Sequence, residues 1–106
     1  MIDNDRCMAC RRESSHHLHE INRGSMRQQS YGEPATWLAL CFSCHAAMDL
    51  YSDWPVAKQL ALKLIADPVN FDLHKINVIR RGSHGQVAIG DVAHYLQLIS
   101  GKEPNA

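Results

Sequence analysis

All four cysteines of the chain stand in two pairs of one spacing, Cys7-x-x-Cys10 and Cys41-x-x-Cys44. A two-residue gap lets both thiolates of a pair reach one ion from a tight turn, and two such pairs make the four soft ligands of a tetrahedral zinc. A structural Zn²⁺ held by Cys7, Cys10, Cys41 and Cys44 accounts for this pattern better than a disulfide framework, which spreads its cysteines, or a redox motif, which needs one pair. Histidines fill the space around the pairs: His16, His17 and His19 lie between them and His45 follows directly. The other three, His74, His84 and His94, have no ligand-spaced neighbour and read as surface or satisfied residues.

These residues need short elements to position them. Residues 1–30 are polar and turn-rich, with Leu18 and Ile21 the strong apolar anchors near the histidines. On a strand, His17 and His19 share one face. Trp37-Leu38-Ala39-Leu40 reads as a strand entering the second cysteine pair. From Cys44 to Tyr51 the spacing predicts a helix, with His45, Met48 and Asp49 on one face. Composition changes near Asp53. That residue is a candidate cap for a helix carrying Val56, Leu60, Leu64 and Ile65 as its apolar stripe, stopped at Asp67-Pro68. Phe71, Leu73, Ile76, Val78 and Ile79 supply further core, and a turn follows at residues 81–85. A last helix runs from a candidate cap at Asp91 to Ile99, with Val92, Tyr95, Leu96 and Ile99 inward, and Gly101 ends it.

Eleven basic residues balance eleven acidic ones over 106 residues, so the chain lacks the overall basicity of a protein that coats nucleic acid. Any such contact must be local. Between Arg6 and Tyr31 five arginines outnumber Glu13 and Glu20, around the histidines; phosphate contact and plain solubility use the same residues. No run of eighteen apolar residues occurs, and Met1-Ile2-Asp3-Asn4-Asp5 has no signal-peptide pattern, so a soluble cytoplasmic protein that does not engage membrane is expected.

Taken together, Cys7-x-x-Cys10, His19-Glu20-Ile21 with Arg23-Gly24, Leu40-Cys41-x-x-Cys44-His45 and Asp49 resemble the HNH nucleases of the ββα-metal type. The segment from His19 to Gly24 is similar to small phage-encoded HNH proteins in which His-Glu-Ile replaces His-His-Ile. The resemblance covers about residues 7–50. It implies a small zinc-stapled ββα-metal (HNH) core over 7–50; with the additional C-terminal helices that the apolar spacing places over 53–100, the expectation is an α+β fold, and the length of 106 residues makes it a single domain of residues 1–106.

It also implies a second, catalytic divalent metal, Mg²⁺, Mn²⁺, Ni²⁺ or Zn²⁺, held by His19, His45 and Asp49 beside the structural Zn²⁺. A carboxylate ligand at Asp49 suits the harder cations. His17 and Glu20 are rival general bases, and a shifted register using His16-His17-Leu18 as the His-His-Ile segment stays open. Where the family has its middle asparagine this chain has Thr36, which cannot copy the amide that orients the base. The implied activity is a DNA endonuclease or nickase with weak sequence preference, with Arg23 and Arg27 on phosphates and the protein acting as a monomer or weak homodimer in a bacterial or phage-infected cell. A zinc-stapled nucleic-acid-binding or adaptor protein with an inactive site, and a purely structural module whose histidines support the zinc, are the competing classes.

Overall fold

Strands of four residues cannot persist as a free hairpin in water, and here two of them are held from outside. The computed structural model describes residues 6–22, 32–49, 53–80 and 85–100. β1 (His17–Glu20) pairs antiparallel with β2 (Trp37–Leu40), with His17 opposite Leu40 and Glu20 opposite Trp37. A 3-10 turn at Pro34–Thr36 leads into β2. Four helices follow: α1 (Phe42–Asp49), α2 (Val56–Ala66), α3 (Leu73–Arg80) and α4 (Ile89–Ser100). The described residues therefore form a small α+β protein, and none of their helices is long and apolar enough to cross a membrane.

The core joins both halves of the chain. Ile21, Leu38, Leu40 and Met48 from the strand and α1 side meet Leu60, Ala61, Ile76 and Val92 from the later helices in one buried cluster, which also takes in Cys7 and Cys41. α2 and α4 pack against each other. Tyr95, Leu96 and Ile99 lie against that cluster, as the spacing of the last helix predicts.

Several local expectations are corrected. α1 starts two residues earlier than the spacing suggests, because the Cys41 carbonyl accepts the His45 N–H at 2.9 Å and closes the first turn at Phe42. Asp53 does not cap α2: Pro55 occupies that position with no side-chain cap, and the Asp53 carbonyl accepts from Lys58 Nζ instead. Asp91 lies inside the first turn of α4, where its charge still favours the helix dipole. α3 was not expected as a helix. Its start is set by Asp72, whose carboxylate accepts the Lys75 N–H at 3.0 Å in the manner of an N-cap. Leu18, Ile65 and Val78, assigned to the apolar interior, are exposed.

Candidate metal centre and histidine site

The first cysteine pair sits on a turn closed by its own backbone. Arg11 N–H donates to the Cys7 carbonyl and Cys7 N–H to the Glu13 carbonyl, both at 2.9 Å, while Cys10 N–H points at Cys7 Sγ at 3.5 Å. Met8 N–H donates to the Ala39 carbonyl at 2.8 Å, which fastens this turn to β2. The second pair follows β2 directly, with Cys41 at the start of α1 and Cys44 one turn on, so both thiols project to one side. All four ligand sulfurs lie within 4.8 Å of one another, and Cys10 and Cys41 Sγ are 4.0 Å apart. A zinc with Zn–S bonds of about 2.3 Å sets tetrahedral sulfur edges of roughly 3.8 Å. The four cysteines are thus arranged to hold a metal ion, consistent with structural zinc.

Their acidities are unequal. Backbone amides of Arg12 and Glu13 lower the Cys10 thiol to about 6. At Cys7 burial opposes ionisation, but the backbone amides of Cys10, Cys41 and Ala9, with the Cys44 thiol, outweigh it and the thiol ends below its ordinary value. Burial, reinforced by the neighbouring thiols, pushes Cys44 up.

The histidines stand beside this cluster. Alternation along β1 sets His17 and His19 on one face and Leu18 and Glu20 on the other. His45, on α1, meets both imidazoles: its ring centroid is 5.0 Å from His17 and 5.2 Å from His19, the latter edge-on at 72°. Phe42 covers His17 at 4.8 Å. His19 is 1% exposed, whereas His17 and His45 are half-buried and reachable from solvent. Of the residues read as site residues, His17, His19 and His45 come together, while strand alternation places Glu20 on the opposite face, across from Trp37. Arg23, Arg27 and the side chain of Asp49 lie outside the described residues.

Two features escape a reading of the residues alone. Gln59, on α2 and 0% exposed, places its Oε1 2.8 Å from His19 Nε2 and donates through its own Nε2 to the Trp54 carbonyl at 2.8 Å. Asn22, buried just after β1, accepts from Arg80 at 3.2 Å and donates to the Ile76 carbonyl at 3.5 Å, tying the end of the histidine strand to α3. The available signal for Gln59 was its position: three residues after Val56 and four before Lys63, it falls on the inward side of α2.

Thr36 is buried, and its hydroxyl donates to the Glu33 carbonyl at 2.8 Å within the 3-10 turn. Among the described residues the cysteine quartet is the one group of three or more Cys, His, Asp or Glu gathered closely enough to share an ion. Compared with known proteins, the chain matches no protein-family model, no curated protein and no solved structure. What can be said of its chemistry therefore comes from its own residues.

Proposed function

We propose that this protein is a metal-dependent endonuclease of the HNH kind that hydrolyses DNA phosphodiester bonds, nicking one strand with weak sequence preference. The observation that carries the reading is the convergence of His17, His19 and His45 from a strand and a helix that are both anchored at the cysteine cluster. Two imidazoles sharing one ion through Zn–N bonds of about 2.1 Å would place their ring centroids roughly 5 Å apart, and the 5.2 Å of His19 and His45 agrees with that spacing. Asp49, four residues after His45, is the third ligand in this reading. Bound there, a divalent ion would offset the charge that develops on the phosphate and the leaving 3′ oxygen.

His17 is the general base in this reading. It shares a face with His19 and is accessible to solvent, whereas Glu20 projects from the other face. The imidazole takes a proton from water as the water oxygen bonds to phosphorus, and the bond from phosphorus to the 3′ oxygen breaks. Arg23 and Arg27 would hold flanking phosphates, contacts that position a duplex without reading its sequence.

A second reading, an inactive zinc-stapled nucleic-acid-binding protein, draws on the burial of His19 and on the engagement of Thr36 by Glu33. Supercoiled plasmid incubated with the protein and Mg²⁺, Mn²⁺, Ni²⁺ or Zn²⁺ separates the two. Nicked circles that disappear with His45→Ala support the nuclease. Intact plasmid with every metal, alongside a retained DNA mobility shift, leaves the binding protein.

A further inference from the structure

Gln59 reaches His19 across 40 residues of sequence, from the helical half of the chain into the histidine strand. Its amide is not free to turn. A backbone carbonyl only accepts hydrogen bonds, so with the Trp54 carbonyl 2.8 Å away the amide nitrogen must face that carbonyl, and Oε1 is left toward His19. Turning the amide over would set two oxygens against each other in a place where Gln59 is 0% exposed. Oε1 carries no proton, so the proton in the 2.8 Å contact belongs to His19 Nε2.

We propose that Gln59 is the positioning residue of the histidine site: it holds neutral His19 as the Nε2–H tautomer and so makes Nδ1 the nitrogen that carries the lone pair. The metal-binding consequence rests on the reading of His19 as a ligand; the tautomer does not. A metal-bound imidazole takes its orientation and its coordinating nitrogen from the partner of its other nitrogen. Here that partner comes from α2, which gives the helical half a role at the site beyond packing. The same bond keeps Nε2 from serving as a proton acceptor, which leaves His17 as the imidazole of β1 suited to take a proton.

The test is the ring ¹⁵N spectrum of the full chain loaded with one Zn²⁺, histidine-labelled, at a pH where imidazole is neutral. His19 is expected as the Nε2–H form, and a second equivalent of Zn²⁺ is expected to shift its Nδ1 resonance. Gln59→Leu should mix the tautomers and weaken uptake of that second ion about 10- to 100-fold, with the first zinc retained as the check on folding. An Nδ1–H tautomer in the unaltered protein overturns the proposal without any variant. So does a Gln59→Leu protein whose tautomer and second-ion affinity are unchanged. A pure Nε2–H form with no uptake of a second ion upholds the tautomer assignment and removes the catalytic-metal reading alone.

Discussion

Arg11 follows the first cysteine pair with a φ of 62°, in the left-handed region that side chains other than glycine rarely adopt. The turn requires it, because the Arg11 N–H must reach the Cys7 carbonyl while residues 12 and 13 turn their amides to Cys10. Glycine there removes a strain of about 1–2 kcal/mol and restores unfolded-chain entropy of about 0.5–1 kcal/mol. Arg11→Gly is therefore expected to stabilise the zinc-loaded protein by about 0.5–1 kcal/mol, read as a rise in its thermal midpoint; a lower midpoint would show that the Arg11 side chain contributes more than its backbone costs. The histidines permit a sharper comparison. If His17 is the base, His17→Ala lowers the nicking rate by about 10²- to 10⁴-fold while Glu20→Gln changes it little, and the reverse order in a plasmid assay would give the role to Glu20. The shared face of His17 and His19 was legible from their spacing, since strand alternation depends on nothing else. The partner of His19 was not: the position of Gln59 puts it on the inward side of α2, but only the fold shows which residue it meets there.

At the scale of elements, the cysteine turn tunes its own ligands. Zinc binds thiolates, so each thiol still protonated must release a proton on binding. With amides holding Cys10 at about 6, that residue is already largely ionised at neutral pH, while buried Cys44 keeps its proton until the metal takes it. From the unfolded metal-free chain, whose thiols keep their ordinary acidity, zinc uptake at pH 7.5 is expected to release about four protons, whereas a turn already folded without metal would release about three or fewer, because Cys10 would be ionised beforehand. Calorimetry in buffers of different ionisation heat counts the protons; about three or fewer at pH 7.5 would mean that the cysteine turn keeps its fold without metal. α2 carries a second device, a buried pair in which Lys63 Nζ meets Asp67 at 2.7 Å and the Trp37 carbonyl at 2.8 Å, at 1% and 3% exposure. It joins α2 to β2. Removing one partner strands a buried charge, so Asp67→Ala or Lys63→Met should each cost about 3–5 kcal/mol, and the double variant should cost less than their sum. Additive losses in urea unfolding would show the two charges to be independent. Neither Lys63 nor the start of α3 was legible beforehand: a lysine in an apolar stripe passes for the polar face, and Asp72 looked like loop rather than a cap. Trp37–Leu40 was legible because four apolar residues ending at a cysteine pair leave little choice but a buried strand.

Across the whole molecule, the change of composition near Asp53 marks a change of role rather than a boundary in the core. Cys7 and Cys41 belong to the same buried cluster as Leu60, Ile76 and Val92, and Gln59, Lys63 and Arg80 each reach from the helices to the strand side. The two strands supply little holding power of their own. A structural zinc contributes about 10–16 kcal/mol in small metal-folded domains, a range that overlaps the entire stability of an ordinary domain, about 5–15 kcal/mol. Chelation should therefore unfold the chain as one unit instead of freeing the hairpin from an intact helical remainder. Titrating a strong chelator into the zinc-loaded protein is expected to collapse the tryptophan signal of Trp37 and Trp54 and the far-ultraviolet helical signal together, along one curve restored by added Zn²⁺. The opposing tendency is the packing of α2 on α4, which could hold a helical pair without metal. Helical signal that survives while the tryptophan signal is lost would show that this pairing outweighs the shared core, and that the C-terminal helices fold without the clamp.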